Sequence, residues 1–441
     1  MVDPASQRPE GIAARKVAVD LLAQVLDKGQ PLDSLLDSDP GFRATVTRDR
    51  AFVRMIVSTA LRRLGQIDAL IARAMDRAEA PHPPLLRHIL RVGVAQIAFM
   101  AVPTYAVVDT AVRLAEDKNL SRQKGLVNAV LRRVADDYLA VLPKQDEGRL
   151  NTPDWLLQSW IADYGMRRAG EIAQANLSEA PLDITLRDPD SQSYWAGRLD
   201  AVALPMGTLR RPAGGMVYEL PGYDEGLWWV QDAAASLPAT LFGDIEGAMV
   251  LDLCAAPGGK TAQLAALGAD IVALDRSVTR LKRLRENLDR LKLAEKVRVE
   301  AADAGVWQPK EKADFVMLDA PCTATGTIRR HPDVLHLKTP QDMARLCETQ
   351  ARILRNASAM LAPGGTLIYC TCSLQKDEGE RQIDAFLAAE DGFSRVPVDP
   401  SEIGGLAEAV TAEGDVRLLP DHFAPQGGID GFYICRLRKT G

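Results

Sequence analysis

Hydrophobic residues in the first third of the chain recur at helical spacing. In residues 15–29 an apolar side chain returns every three or four positions, and Gly29 is a suitable helix stop. The same period continues in four further segments, 48–77, 85–100, 104–117 and 122–136. A proline-rich break at residues 80–84 separates the first two of these segments. The pattern predicts an all-α domain over residues 1–145.

The pattern changes between about residues 151 and 221. One or two helices at residues 154–174 are followed by short alternating runs rich in Pro, Gly and Asp, such as 182–190 and 209–223. Short alternating runs bounded by turn residues are typical of small strands. We therefore predict a small α/β connector over residues 146–235.

From about Gly247 onward, apolar runs alternate with helical segments. The runs are residues 249–255, 270–277, 297–304, 313–322 and 364–373, and helices are expected at Val278–Leu291, Gln341–Leu361 and Asp377–Ala389. This alternation predicts a Rossmann-like, doubly wound parallel sheet over residues 236–441. Ligands bind beyond the carboxyl ends of such strands, and five notable residues fall there: Cys254, Asp275, Asp303, Asp319 and Cys372.

The distribution of charge along the chain does not by itself identify a binding partner. The net charge of −6 conceals an asymmetry, since residues 1–150 hold 22 basic and 18 acidic residues and the rest hold 31 and 41. Nine Lys and Arg residues lie between Arg276 and Arg298. Net charge bears on solubility and association rather than on what one face binds. No coiled-coil seam is visible, so a monomer is favoured while the oligomeric state stays open.

The chain has no signature of secretion or of a membrane span. The first ten residues lack an apolar signal segment. The most apolar stretch, Val92–Val108, contains Gln96 and Pro103 and is shorter than the roughly 20 apolar residues of a spanning helix. None of the six cysteines precedes Cys254, which argues against a disulfide framework. We therefore expect a cytoplasmic protein with no membrane partner.

A glycine turn follows the first run of the C-terminal domain and allows three interpretations. The dinucleotide fingerprint G-x-G-x-x-G is absent, and a phosphate-binding loop would need glycine where the chain has Cys254, which weakens an ATPase interpretation. The third interpretation is a nucleoside cofactor without phosphates, because Gly258 and Gly259 permit close approach. Asp275 would then accept from ribose hydroxyls and Asp303 from an adenine amino group. S-adenosylmethionine fits these contacts.

Two cysteines follow neighbouring runs, in Asp319-Ala320-Pro321-Cys322 and Thr371-Cys372-Ser373. A single cysteine is most often a small buried apolar residue. The chain has no C-x₂-C pair, so its cysteines and histidines do not complete the ligand spacing of a zinc site, and no metal is expected. Beside a methyl donor, a thiolate adding to carbon-6 of cytosine makes carbon-5 nucleophilic. Asp319 could stabilise charge at N3, and the base must be unpaired or flipped. These arguments do not rank the two thiols, and Cys370 is expected on the same side as Cys372.

Four segments carry a resemblance to a known family: residues 252–265 (DLCAAPGGKTAQLA), 315–333 (FVMLDAPCTATGTIRRHPD), 369–378 (YCTCSLQKDE) and 430–439 (DGFYICRLRK). They resemble the RNA 5-methylcytosine methyltransferases, the Sun or RsmB group, and within it the bacterial enzymes acting on small-subunit (16S) ribosomal RNA. The resemblance implies a NusB-like helical domain, a small RNA-recognition-like subdomain and a catalytic methyltransferase domain.

The family's residue roles carry over to matching positions. The resemblance implies that Cys372 is the nucleophile and that Cys322 assists product release, although DNA cytosine methyltransferases attack with the Pro-Cys thiol, so the opposite assignment stays open. The implied S-adenosylmethionine site comprises Cys254, Ala255, Ala256, Pro257, Gly258, Gly259, Lys260, Asp275, Asp303 and Asp319. Lys260 is also a candidate to reach the active site.

The expected partner is RNA. Arg329, Arg330 and His331 directly follow the Pro-Cys motif, and we expect them to contact it, the alternative being a surface loop with incidental charge. Weaker phosphate-contact candidates are helix Val278–Leu291 and the arginines Arg54, Arg62, Arg63, Arg132 and Arg133. Two alternatives stay open, a non-catalytic RNA-binding or ribosome-assembly module and a methyltransferase acting on tRNA or another RNA.

Overall fold

The computed structural model describes residues 11–75 and 81–440. The first ten residues, where no signal peptide is expected, and the start of the proline-rich break lie outside the described residues. The chain divides into two compact units. Of the described residues, the first unit contains those up to Leu177 and also Arg330–Lys338, and the second contains Ser178–Arg329 with Thr339 onward. The expected three-part division at residues 145 and 235 stays a prediction.

The first unit is helical, as predicted. Its α-helices are α1 (Ile12–Lys28), α2 (Leu32–Ser38), α3 (Pro40–Ala44), α4 (Thr47–Arg62), α5 (Leu64–Ala74), α6 (Pro84–Phe99), α7 (Thr104–Asp117), α8 (Lys124–Val141), α9 (Glu147–Asn151), α10 (Asp154–Ala175) and, from the later segment, α15 (Val334–Leu337). Gly29 ends α1 in the left-handed conformation (φ 65°), which confirms the predicted stop. The segment predicted as one helix from residue 48 is interrupted at Arg63, where α9 packs so closely that a side chain at Gly65 would clash with the Leu150 carbonyl.

The second unit contains a small antiparallel sheet. Its strands are β1 (Leu182–Leu186), β2 (Val202–Ala203), β3 (Leu209–Arg211) and β4 (Trp228–Val230), in the order β2-β3-β1-β4. Helix α11 (Gln192–Arg198) packs on it, and Trp195 and Trp228 lie in the shared core with Ile184 and Leu209. The small sheet confirms the mixed α/β character expected for this part of the chain.

The second unit also contains a larger sheet. Its strands are β5 (Met249–Leu253), β6 (Asp270–Asp275), β7 (Val297–Ala301), β8 (Ala313–Asp319), β9 (Leu361–Thr371), β10 (Phe393–Arg395), β11 (Val416–Leu418) and β12 (Phe432–Lys439). The order is β10-β12-β9-β8-β5-β6-β7, with β11 paired to β12. Strands β5 to β9 are the five predicted ones and run parallel. The sheet is mixed rather than wholly parallel because β12 pairs antiparallel with β9 and carries β10 and β11.

Helices flank the larger sheet as a doubly wound fold requires. They are α12 (Ala233–Thr240), α13 (Gly259–Ala266), α14 (Val278–Leu291), α16 (Pro340–Met360) and α17 (Glu380–Ala389). Helix α14 matches its predicted bounds, and its N-cap Ser277 accepts from the Arg280 N–H. Helix α17 begins at Glu380, later than predicted, because residues Lys376–Glu378 form a separate 3₁₀ turn. None of the helices in the described ranges has the length and apolar character needed to cross a bilayer.

Candidate active site

The carboxyl ends of β5, β6, β8 and β9 meet at one edge of the larger sheet. In the strand register Leu253 pairs with Leu274 and with Leu318, and Asp319 pairs with Cys370. Residues that directly follow these positions therefore lie side by side. The structure brings together the turn after β5, the acidic residues after β6 to β8, and both cysteine motifs.

The turn after β5 is fixed by Asp275 and α14. Cys254 and Gly258 both have positive φ, 63° and 104°. A Cβ at Gly258 would lie 2.9 Å from Cγ of Leu284, so glycine is needed both for conformation and for the approach of α14. The Asp275 carboxylate accepts from the Ala256 N–H (3.3 Å), while Arg280 pairs with Asp275 (3.2 Å) and donates to the Ala256 carbonyl.

Three aspartates at this edge of the sheet indicate which kind of cofactor the site would bind. Asp303 accepts from the Gly305 N–H at 2.8 Å and pairs with Arg352 at 3.3 Å, and these contacts lower the pKa of its carboxyl. Together with Asp275 and Asp319 it provides carboxylate oxygens that accept hydrogen bonds from ribose hydroxyls and amino groups. This set of acceptors fits a nucleoside cofactor such as S-adenosylmethionine.

Lys260 and Asp319 form a partly buried ion pair next to the cysteines. The Lys260 Nζ lies 2.7 Å from Oδ2 of Asp319 and 5.0 Å from the centre of the Phe432 ring. Burial opposes the lysine charge, but Asp319 and then Cys370 and Cys372 raise the pKa of Lys260 above its ordinary value. The Cys370 Sγ donates to Oδ1 of Asp319 at 3.7 Å, so Cys370 contacts the carboxylate rather than the other thiols. Lys260 is thus a fixed cation facing this group of thiols.

The Pro-Cys and Thr-Cys-Ser thiols are in direct contact. The Sγ atoms of Cys322 and Cys372 are 3.5 Å apart, and both are free thiols with partly exposed side chains. The hydrogen bond with Cys372, followed by burial, raises the pKa of Cys322 well above its ordinary value. Two thiols this close share protons, so one ionises more readily when the other remains protonated.

The predicted RNA contacts fall in different surroundings. Arg329 is only 1% exposed and donates to the Gly427 carbonyl, so reaching RNA would require its guanidinium to leave that partner. Arg330 and His331 belong to the first unit, where His331 Nδ1 lies 3.1 Å from Oδ2 of Asp33. RNA contact by these residues stays a prediction.

The weaker phosphate-contact candidates also differ in exposure. Arg62 is buried, Arg63 pairs with Glu147 at 2.6 Å, and Arg133 donates to the Ala74 carbonyl at 2.9 Å. On the outer face of α14 the exposed basic side chains are Arg280, Lys282, Arg283 and Arg285. Arg54 and Arg132 are exposed as well.

Two buried acidic residues at this edge had no role in the sequence-based predictions. Asp252 lies within β5 and Glu378 follows β9, and each is 0% exposed. Asp252 carries a sequence signal, because a charge within an otherwise apolar strand is costly unless it has a partner. Glu378 has no such signal, since it lies in a polar turn and its burial depends on tertiary contacts. Within the described residues, no cluster of three or more His, Cys, Asp or Glu side chains is arranged to hold a metal ion.

This fold and site define a Rossmann-like methyltransferase with an appended NusB domain, and the comparisons identify its family. The model of 16S rRNA methyltransferase RsmB/F matches residues 239–438, and the NusB family model matches residues 12–136. The chain belongs to the RsmB/F family of 16S rRNA methyltransferases. Membership confirms the predicted fold, the enzyme class and the S-adenosylmethionine cofactor.

Similar proteins extend over nearly the whole chain. Ribosomal RNA small subunit methyltransferase B of Vibrio cholerae is 34% identical, covering 96% of this chain and 97% of that protein. The protein of the same name from Xylella fastidiosa is 36% identical, with 98% and 99% covered. Among solved structures, PH0851 has a TM-score of 0.78 at 22% identity, covering 97% of this chain and 99% of that one. NSun6 from Pyrococcus horikoshii has a TM-score of 0.56 at 20% identity, covering 66% and 98%. The two structures support the fold alone.

Proposed function

We propose that this protein methylates carbon-5 of a cytosine in small-subunit ribosomal RNA, with Cys372 as the nucleophile. The observation that carries the proposal is the contact between the Cys322 and Cys372 sulfurs, 3.5 Å apart, beside the partly buried Lys260–Asp319 pair. The relatives' printed name, ribosomal RNA small subunit methyltransferase B, supports the substrate class. The cytosine specificity and the covalent mechanism rest on the chemistry of the two thiols.

The choice of Cys372 as the nucleophile has two supports. The hydrogen bond with Cys372, followed by burial, raises the pKa of Cys322, which favours Cys322 as a protonated hydrogen-bond donor. Cys372 directly follows the end of β9, in the position that the family resemblance assigns to the nucleophile.

The proposed reaction begins when the Cys372 thiolate adds to carbon-6 of an unpaired or flipped cytosine. Lys260, held by Asp319 at 2.7 Å, would offset the negative charge that develops on the ring as the adduct forms. S-adenosylmethionine, when held by the turn after β5 and the neighbouring carboxylates, would supply the methyl group that carbon-5 accepts. A base then takes the carbon-5 proton, the electron pair of the carbon-5–hydrogen bond forms the ring double bond again, and the carbon-6–sulfur bond breaks to release the Cys372 thiolate.

Cys322 is placed to assist the last step. A thiol 3.5 Å from the departing sulfur donates a hydrogen bond to the thiolate as it forms. The RNA substrate would bind through basic residues, with the exposed outer face of α14 and the partly exposed Arg330 and His331 as candidates. Because the substrate is ribosomal RNA, we keep the expectation of a cytoplasmic location. A non-catalytic assembly module does not explain two thiols in contact beside a cofactor turn.

The test is methyl transfer from labelled S-adenosylmethionine to ribosomal RNA by the wild type, Cys372→Ser and Cys322→Ala. We expect Cys372→Ser to lose transfer and to form no adduct. Cys322→Ala should accumulate a covalent protein–RNA complex, seen as a gel-shifted band that persists in denaturant. Bisulfite sequencing of the product RNA would locate the modified base. Unchanged transfer by Cys372→Ser would eliminate the mechanism, and transfer only to tRNA would correct the substrate.

A further inference from the structure

Glu378 lies buried between two segments that carry the thiols, here named the Cys322 loop (residues 320–327) and the Cys372 loop (residues 371–375). Its carboxylate accepts from the Thr323 N–H at 3.0 Å and from the Thr323 hydroxyl, both in the Cys322 loop. From the Cys372 loop it accepts the Ser373 hydroxyl at 2.6 Å. Gln350 Nε2 on α16 donates to it at 3.0 Å. A single carboxylate therefore joins both loops.

The surrounding hydrogen bonds suit an ionised carboxylate. Ser373 Oγ accepts the Gln375 N–H at 3.1 Å, which leaves the hydroxyl hydrogen of Ser373 for Glu378. Amide N–H groups of Thr323 and Gln350 approach the other oxygen. Burial raises the pKa of Glu378, and the hydrogen bonds from Ser373, Thr323 and Gln350 oppose that rise. An acceptor-only group among four donors is satisfied as an anion.

Three weak acids lie within the influence of the Glu378 charge. They are Cys322, Cys347 on α16 and Tyr369 on β9, and the Glu378 charge contributes to the raised pKa of each. On Cys322 it acts after the larger effects of the Cys372 hydrogen bond, burial and the Cys372 charge. The Arg417 cation also contacts the Cys372 loop, because it donates to the Ser373 carbonyl at 2.6 Å, and it pairs with Glu380. Glu378 is thus a buried anion that bonds to the residue after each thiol and whose charge acts on Cys322.

We propose that Glu378 is a positioning residue that holds the two cysteine loops together and keeps the Cys322 thiol protonated. The catalytic meaning of a protonated Cys322, which would stabilise the departing Cys372 thiolate, rests on the proposed function. The protonation of Cys322 itself does not, because it is a property of the protein without RNA.

The experiment measures iodoacetamide alkylation of each cysteine across a pH series in the intact protein, resolved by peptide mass spectrometry. In the wild type we expect Cys322 to react only at a pH above that of an exposed cysteine peptide. Glu378→Gln removes the charge and should lower the Cys322 alkylation midpoint by about one pH unit or more. The matched control is Thr325→Val, because the buried Thr325 hydroxyl links the two loops through Gln375 and the Leu374 N–H (3.0 Å) without carrying charge. It should leave the Cys322 midpoint unchanged.

Cys372→Ser keeps the proposal testable if Glu378→Gln does not fold. With its thiol partner removed and Glu378 intact, Cys322 should still react only at a pH above that of an exposed cysteine peptide. Three results would overturn the proposal: Cys322 reacting in the wild type at or below the pH of an exposed cysteine peptide, an unmoved Cys322 midpoint in Glu378→Gln, or an equal shift in Thr325→Val. Methyl transfer is measured on the same samples. Because alkylation needs no RNA, the alkylation result tests the role of Glu378, and the transfer result tests the proposed function separately.

Discussion

The carboxyl group of Asp252 lies entirely inside the protein, in β5, the strand that leads into the glycine turn at residues 254–261. It is 0% exposed, and the Thr261 hydroxyl donates to its Oδ2 at 2.6 Å. Its Oδ1 has no hydrogen-bond partner among the described residues. Burial raises the pKa of Asp252 from 3.8 to about 7, against the opposing hydrogen bond from Thr261. A buried carboxyl of this kind folds more easily in its protonated form.

We predict that Asp252 makes the free energy of unfolding fall as pH rises. The folded-state pKa lies above the unfolded one, so the contribution is complete below pH 3.8 and is lost as pH rises through about 7. The slope reaches at most about 1.4 kcal/mol per pH unit within that window. Urea unfolding of the wild type and Asp252→Asn at a series of pH values should give a stability difference that shifts in favour of the variant at higher pH. The control for net charge is Asp314→Asn, because Asp314 is an exposed acid on the neighbouring strand β8. A stability difference for Asp252→Asn that does not change with pH would contradict the prediction.

Single residues differ in how far the sequence predicts them. The positions of Cys322 and Cys372 follow from local pattern, because Cys372 directly follows β9 and Cys322 comes three residues after the end of β8, and both strands are apolar runs in the sequence. The environment of Glu378 is not local, since two of its partners lie 28 and 55 residues away in the chain. Burial of Arg329 is equally non-local, because the carbonyl that it contacts lies 98 residues further on. Sequence pattern predicts strand ends, whereas these contacts depend on how distant loops pack.

Three chain segments converge at Gly326, within the Cys322 loop. Its N–H donates to the Cys372 carbonyl at 2.9 Å, and its carbonyl accepts from the Gly431 N–H at 2.9 Å, just before β12. A Cβ at Gly326 would lie 1.9 Å from the Gly431 oxygen and 2.9 Å from the Cys372 oxygen. Both obstacles are backbone atoms, so a side chain could be accommodated only by moving the loops apart.

We therefore predict that Gly326→Ala separates the thiols of Cys322 and Cys372 and leaves the glycine turn at residues 254–261 unchanged. Methyl transfer should fall by about 100-fold, the usual consequence of a displacement near 1 Å at reacting groups. Calorimetric titration with S-adenosylmethionine should show affinity within about threefold of the wild type, because residues 254–261 make none of these contacts. Gly392→Ala is the matched control, since a Cβ there meets nothing within 4 Å. Equal activity of the two variants would refute the role assigned to Gly326.

Secondary-structure elements, like single residues, differ in how far the sequence predicts them. Helix α14 is predictable because its leucines at 281, 284, 288 and 291 are buried at helical spacing beneath a charged outer face. The antiparallel strand β12 is not predicted, although its residues carry a recognisable motif. Its place beside β9 is set by pairing between residues more than 60 positions apart, from Tyr433 with Thr371 to Arg438 with Thr366. Local periodicity contains no information on that choice of partner.

At the scale of the whole molecule, the first unit is discontinuous in sequence. Arg330–Lys338 belongs to it, although all of its other described residues precede Ser178. In that segment His336 Nε2 lies 2.9 Å from the Leu61 carbonyl, and Asp333 is 5% exposed. A domain boundary drawn from periodicity alone misses such a segment, because four helical residues between two loops give no readable pattern.

Asp333 makes the most specific of these contacts, because it caps helix α2 from 301 residues away. Its Oδ2 accepts from the Leu32 N–H at 2.9 Å, and the local N-cap residue, Pro31, has no side-chain oxygen to do so. Losing such a cap costs about 1 kcal/mol, so Asp333→Ala should speed amide exchange in Leu32–Ser38 by about fivefold, measured by hydrogen–deuterium exchange of the full chain. Asp333→Asn keeps an acceptor oxygen and should retain most of the protection. If the alanine variant exchanged like the wild type, the discontinuous segment would not stabilise α2, and residues 11–177 would account for its stability alone.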